Sequence, residues 1–209
     1  MQKQERDPYA MKSVFFDAQA REDWATDDYG PDERKKLDRL FAIAGPLTGL
    51  KLLEPGCGTG RLTELLVQAI GTLGYVVAVD ISLYMVAHAR MKLSGYDNVE
   101  IHLGSMEEKT GFGNYFDMAI CHQVFPHFAD KENALAKIRS MLKPGGQLVI
   151  SHFISSAEIN EVHRKAGSAV ANDFMPPPED MQRMLGHCGF EIENWLDDSE
   201  GYLLKAKLI

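Results

Sequence analysis

Short apolar runs alternate with amphipathic helical patterns along most of this chain, and that alternation restricts its fold more than any other feature. The runs "LKLL" (50–53), "YVVAVD" (75–80), "NVEIHL" (98–103), "YFDMAICH" (115–122) and "QLVISHF" (147–153) have strand length and strand composition. Between them, apolar residues recur at helical spacing. Leu62, Leu65, Leu66, Ala69 and Ile70 share one face, as do Leu135, Ile138 and Leu142. A further helix is predicted over 31–45, with Pro31 at its entry and Gly45 at its exit. Ser82 is placed to cap a helix reaching about residue 93, and a last helix begins near Pro178 and stops at Gly189. Strands that are apolar on both faces, joined through helices, imply a doubly wound, mostly parallel sheet covered by helices on both sides. The runs "FEIENW" and "GYLLKAKL" near the end are separated only by "LDDSE", too short for a parallel crossover, so they are predicted to form an antiparallel hairpin. That makes seven strands. The stretch 155–175 is the least regular.

The chain has 209 residues and a formal net charge of −8. That length predicts a single domain over 1–209, with 1–45 as a helical N-terminal cap or lid and 154–178 as a segment overhanging the sheet. An acidic chain lacks the electrostatic footprint for a phosphate backbone, so nucleic acid is not an expected partner. The polar start and the absence of any bilayer-length apolar run predict neither a secretory signal nor a membrane partner. Cys57, Cys121 and Cys188 are odd in number and far apart, which reads as reduced thiols of a cytoplasmic protein.

The stretch "KLLEPGCGTGRLTELL" (51–66) sets Gly56, Gly58 and Gly60 on a strand-to-helix turn. Without Cβ atoms the backbone turns sharply there and a ligand lies against bare peptide, facing the free N–H groups of the next helix. Asp80 ends the second strand about 20 residues on, where a carboxylate accepts from ribose hydroxyls. The pattern therefore predicts a nucleoside ligand. A dinucleotide fingerprint wants Gly or Ala where Arg61 stands, and no Gly-Lys-Ser/Thr is present for a P-loop. Glu54, just before the glycines, repels a pyrophosphate but suits an ammonium or sulfonium cation.

With these residues the chain resembles the class I S-adenosylmethionine-dependent methyltransferases, from about residue 50 to 208. "LLEPGCGTG" looks like the first motif of that family and "VVAVDIS" the second. "FDMAICHQVFPHF", "LKPGGQLVIS" and "LGHCGFEIENW…YLLKAKL" resemble the later ones in order. The resemblance implies strand order 3-2-1-4-5-7-6 with the seventh strand antiparallel, and S-adenosyl-L-methionine as cofactor with S-adenosyl-L-homocysteine as product. It implies a cofactor set of Glu54, Gly56, Cys57, Gly58, Gly60, Asp80 on the ribose, Ile81 beside the adenine, Ser105, Met106 and Cys121. The family often has Gly-Asp after the third strand. Here Gly104-Ser105-Met106 stands instead, so Ser105 would hydrogen-bond, Met106 would pack on the ring and Glu107 would offer a carboxylate.

The resulting expectation is a methyltransferase acting in line on a small molecule. The alternatives are a non-catalytic S-adenosylmethionine-binding module and an NAD(P)-dependent oxidoreductase, which Arg61 disfavours. His122, after the fourth strand, and His163, in the overhanging segment, are the candidate general bases, with His127 and His152 nearby. Their spacing matches no metal-ligand pattern, so no metal is expected. The aromatics Tyr9, Phe15, Phe16, Trp24 and Tyr29 read either as packing of the cap or as a lid over cofactor and substrate.

Overall fold

The computed structural model describes residues 8–109 and 111–209; the start of the expected N-terminal cap, residues 1–7, lies outside them. The elements in order are α1 (Ala10–Gln19), α2 (Asp23–Thr26), α3 (Pro31–Ala44), β1 (Lys51–Pro55), α4 (Arg61–Ile70), β2 (Tyr75–Asp80), α5 (Leu83–Lys92) and β3 (Val99–Leu103). Then come β4 (Phe116–His122), a 3₁₀ turn (Phe125–His127), α6 (Lys131–Met141), β5 (Leu142–His152), α7 (Ser156–Lys165), α8 (Gly167–Val170), α9 (Pro178–His187), β6 (Phe190–Asp198) and β7 (Gly201–Leu208). The sheet has seven strands in the order β3-β2-β1-β4-β5-β7-β6. β1 to β5 pair in parallel; β7 runs antiparallel between β5 and β6. Fold class, strand order and terminal hairpin are as the sequence predicts.

Period-two alternation along apolar strands builds two cores, one on each face. Leu52, Val76, Ala78, Met118, Ile120 and Val149 face one way and meet Leu37 and Leu40 of α3, Leu66 and Ile70 of α4 and Ala89 of α5. Their neighbours Leu53, Val77, Val79, Ala119, Leu148 and Ile150 face the other way, against Leu135 and Ile138 of α6 and Met181 and Leu185 of α9. The winding reverses between β1 and β4, which lie side by side with Leu53 opposite Ala119. A crevice opens at the carboxyl ends of strands at such a point.

Two local readings need correction. The stretch 155–175 is mostly helical, because Ser155 and Glu158 form a reciprocal capping box that starts α7. The expected helix over Leu135, Ile138 and Leu142 ends at Met141, and "KPGG" lies within β5. Leu142 already pairs with Phe116, and the four residues 143–146 bulge opposite Asp117 before Gln147 pairs with Met118. Asp117 holds the bulge in place, accepting from Lys143 Nζ at 2.5 Å and from the Lys51 N–H at 2.8 Å. Among the described residues no helix is long and apolar enough to cross a membrane.

Candidate active site

The bend after β1 is held by its neighbours on both sides. The N–H groups of Gly56 and Cys57 both donate to the Val79 carbonyl, at 2.7 and 3.2 Å. Gly56 has φ +70°, and a Cβ there would fall 2.2 Å from Val124 Cγ2, so no other residue fits without displacing Val124 in the turn after β4. Gly60, at φ +85°, starts α4 and packs against Ala89, which a Cβ would meet at 3.2 Å. Asp80 joins the bend to the end of β2, accepting from the Gly58 N–H and the Ser82 N–H, each at 2.9 Å. Burial pushes its carboxyl above the usual range, against these backbone donors, which favour the charged form.

Glu54 is 2% exposed, and its Oε2 has no hydrogen-bond partner. Burial pushes its pKa up to about 8, and the charge of Asp80 adds to the rise. A carboxyl group in this state is a socket for a cation. Left alone it costs desolvation energy or a bound proton; paired with a positive ligand it ionises.

Glu54 and Asp80 open into a cavity of about 380 Å³, within the roughly 300–1,000 Å³ span of small-molecule sites. Residues 9–29 roof it, contributing Tyr9, Phe16, Trp24 and Tyr29, while Phe128 and Phe153 line the opposite walls. Polar ties hold the roof down. The Arg61 guanidinium stacks 3.8 Å from the Tyr29 ring centroid, pairs with Glu33 at 3.2 Å and donates to the Trp24 carbonyl. Thr59 Oγ1 donates to the Ala25 carbonyl, and Ser82 Oγ donates to Asp17 Oδ1 at 2.6 Å. The Tyr9 hydroxyl donates to Glu107, whose Oε1 also accepts from the Ala129 N–H at 3.0 Å.

Three histidines matter here. His122 closes β4 and lines the cavity. Its Nδ1 lies 2.7 Å from Ser151 Oγ, and its buried Nε2 has no partner. Burial, with the Arg61 charge nearby, lowers its pKa to about 3, so the ring is neutral at ordinary pH. His127, at the end of the 3₁₀ turn, also lines the cavity, and its Nδ1 lies 2.8 Å from Asp173 Oδ2. His163, on α7, faces the carbonyl of Asp173 and stacks 4.8 Å from the His127 ring.

Of the residues expected at the site, Glu54, Gly56, Cys57, Gly58, Asp80, Ile81, Met106 and His122 line one cavity. Gly60, Ser105, Cys121 and His163 do not. Gly60 is turned against α5. Ser105 Oγ accepts from the Glu108 N–H at 3.3 Å and caps its own loop. Cys121 has its side chain in the core against α6, because odd and even positions of β4 face opposite ways. His163 sits behind His127, with its Nδ1 committed to backbone. Glu107 does not line the cavity; its Oε1 holds Tyr9 and the start of α6, while its buried Oε2 has no partner. Sequence reasoning did not single out Thr59, Met85, Gln123 or Phe153, and it read Arg61 only as a missing glycine. Gln123 has φ +58°, rare for a side chain with Cβ, and holds the turn after β4 through its N–H to the Ser151 carbonyl at 2.8 Å. Such strain leaves no mark in composition or periodicity.

Residues 47–193 match a family model described as "Methyltransferase domain". The chain is similar to the ubiquinone/menaquinone biosynthesis C-methyltransferase UbiE of Hydrogenovibrio crunogenus, 27% identical over 184 residues covering 76% of this chain and 72% of that protein. It is 30% identical to UbiE of Vibrio vulnificus over 193 residues, 79% of this chain and 74% of that one. Among solved structures it is similar to the magnesium protoporphyrin IX methyltransferase of Synechocystis with bound SAH, with a TM-score of 0.73, 21% identity and coverage of 97% of this chain and 100% of the other. At that identity the likeness is one of fold.

Proposed function

Because the chain belongs to the class I S-adenosylmethionine-dependent methyltransferases, we propose that it methylates a small molecule held under the roof formed by residues 9–29, with Glu54, the glycine bend and Asp80 holding S-adenosylmethionine. The residues fit that cofactor. Glu54 presents an unpartnered, buried carboxylate oxygen to any cationic end of a ligand. Asp80, with its backbone donors in place, keeps lone pairs for the two hydroxyls of a ribose. Ile81 and Met106 supply apolar walls for a purine. The bound cofactor supplies a methyl group activated by a sulfonium, with a neutral thioether as leaving group.

The protein need not stabilise a large developing charge for such a transfer. Its contribution is alignment and the exclusion of water. The roof serves both ends, since Arg61 and Thr59 tie it to the first turn of the glycine bend and Ser82 ties it to the end of β2. In this reading the described part of the N-terminal segment, residues 8–45, acts as a lid within a single domain. α7 and α8 occupy the 154–178 segment beyond β5, and Ile159 and Met175 pack into the core on that side.

The observation that supports a small acceptor is this roof. Its aromatic side chains line the cavity, and among the described residues the basic side chains lining it are Arg61, His122 and His127, which make no strip for a nucleic-acid strand. The reading is tested with cofactor labelled by tritium in the methyl group, incubated with protein and with separate small-molecule, protein and nucleic-acid fractions of a cell extract. Label appearing in the small-molecule fraction is the expected result. Label confined to protein or nucleic acid overturns it.

A further inference from the structure

We propose that His127 and Asp173 form the proton-accepting pair of this active site, and that the acceptor is a hydroxylated aromatic molecule whose O–H faces His127. The proposal rests on the reading of the cavity as a small-acceptor site. It goes beyond that reading by assigning the base, its positioning residue and the substrate class.

Among the described histidines that line the cavity, only His127 has a carboxylate on its ring. Asp173 is itself held rigidly. Its Oδ2 receives His127 Nδ1 at 2.8 Å, and its Oδ1 pairs with Lys12 Nζ at 2.7 Å. Lys12 closes the loop by donating to the His127 carbonyl at 2.8 Å. Lys12 and Asp173 are about 10% and 9% exposed as side chains, so water competes little for this arrangement. Burial works against the Asp173 charge, but the hydrogen bonds from His127 and Lys12 outweigh it and hold the carboxyl below its usual range. An ionised carboxylate only accepts, so the shared hydrogen sits on Nδ1 and the lone pair of the neutral ring is on Nε2. The ring is oriented between Phe16, 5.0 Å away, and His163, 4.8 Å away.

The other charged or titratable groups near this ring are Lys131 of α6, which donates to the Pro126 carbonyl at 2.8 Å, and buried His152 of β5. Burial, His163 and Lys12 all depress the His127 pKa, so the ring is unprotonated and ready at neutral pH. His122 is a poorer candidate. Its ring meets a serine hydroxyl rather than a carboxylate, so an imidazolium there has no counter-charge.

The cavity walls select the acceptor. Tyr9, Phe16, Trp24, Tyr29, Phe128 and Phe153 favour a flat ring packed face or edge on. In the transfer, the acceptor O–H bond breaks and its proton passes to Nε2 of His127, whose new positive charge is neutralised by Asp173. The freed electron pair on the acceptor oxygen forms the bond to the methyl carbon. The carbon–sulfur bond breaks and its pair stays on sulfur. The imidazolium later returns its proton to solvent.

The test needs no knowledge of the natural acceptor. S-adenosylhomocysteine-loaded protein is mixed with 4-nitrophenol one pH unit below the probe's own pKa, and phenolate is read by its absorbance. A pH indicator in weak buffer reads protons released. The phenolate left beside the ring offsets the burial and the charges that depress His127 alone, so with the wild-type chain the phenolate fraction of the bound probe is expected to rise about two-fold or more over the roughly 9% of free probe. No net proton should reach the indicator, because His127 takes it. His127→Asn and Asp173→Asn are expected to lose the phenolate signal while still binding S-adenosylhomocysteine in a calorimeter, and Asp173→Glu is expected to restore part of it. Absence of phenolate with the wild-type chain overturns the proposal. So does phenolate formed with release of one proton per probe, which means simple electrostatic stabilisation; both outcomes hold whether or not a variant folds. If the tritium experiment still labels small molecules, the failure belongs to this proposal and not to the function.

Discussion

If Glu54 holds the cationic end of the cofactor, as proposed, its buried carboxyl makes cofactor binding a proton-linked event. With a pKa of about 8 in the free protein, Glu54 is about 1% ionised at pH 6 and about 9% at pH 7. The cationic amino-acid end of the ligand requires the ionised form. Affinity for S-adenosylhomocysteine is therefore expected to rise about nine-fold from pH 6 to pH 7, or ~1.3 kcal/mol, with about 0.9 proton released per ligand bound at pH 7. Above pH 8 at most about a further two-fold remains, because Glu54 is half ionised there and the ligand's own α-amino group begins to lose its proton. Calorimetric titrations at both pH values, repeated in buffers of different ionisation enthalpy, give both quantities directly. Glu54→Gln is a neutral isostere, so it should bind at pH 7 at least tenfold more weakly, with no proton release and no pH slope. Methylthioadenosine, which lacks the amino-acid end, should show no slope with the wild-type chain. A wild-type affinity that is flat with pH, with no protons released, would refute the assignment of Glu54 to the cationic end.

Four other outcomes follow from the geometry. Asp80→Ala should weaken cofactor binding tenfold or more by calorimetry, because it removes the ribose acceptor and also frees the Gly58 and Ser82 N–H groups; unchanged affinity sinks the assignment. Gly56→Ala drives a methyl into Val124 and should cost about 2 kcal/mol or more in urea unfolding, with Val124→Ala recovering part of the loss and the left-handed φ keeping the rest. His122 is neutral in the fold, with a pKa of about 3, and charges near pH 6.5 when unfolded. Stability should therefore fall as pH drops below 6.5, by about 2 kcal/mol at pH 5 relative to pH 7; a His122→Gln variant with the same slope would contradict this. Arg61→Ala removes the stacking and ionic ties to the roof, and limited proteolysis should then cut within residues 9–29 about tenfold faster, with faster cofactor release; an unaltered cleavage rate means the roof is held elsewhere.

The sheet was legible because the inner strands β1, β2, β4 and β5 carry apolar side chains on both faces, and a parallel sheet between helices buries both. Leu52 and Leu53, adjacent in sequence, end in opposite cores. The glycine bend was legible because Gly56 and Gly60 occupy backbone conformations other residues avoid. The roof was half legible. The aromatics before residue 30 were visible, but their ties are long-range pairs such as Arg61 with Tyr29, Thr59 with Ala25 and Lys12 with Asp173, which no local pattern encodes. Cys121 does not line the cavity by a matter of phase, since its motif ends at the right edge of the sheet but its side chain joins the core packed against α6 and α9. His163 was misplaced because distance along the chain says nothing about which of two stacked rings reaches the cavity. The helices α7 and α8 were missed where the Ser155–Glu158 capping signal was overlooked in a polar stretch.

Crystals of the chain grown with S-adenosylhomocysteine test the central claim most directly. The account predicts the ribose hydroxyls on the Asp80 carboxylate, the amino-acid end at Glu54 and the nucleoside against residues 56–58. A nucleoside seated away from those two carboxylates, or one failing to bind at all, contradicts it.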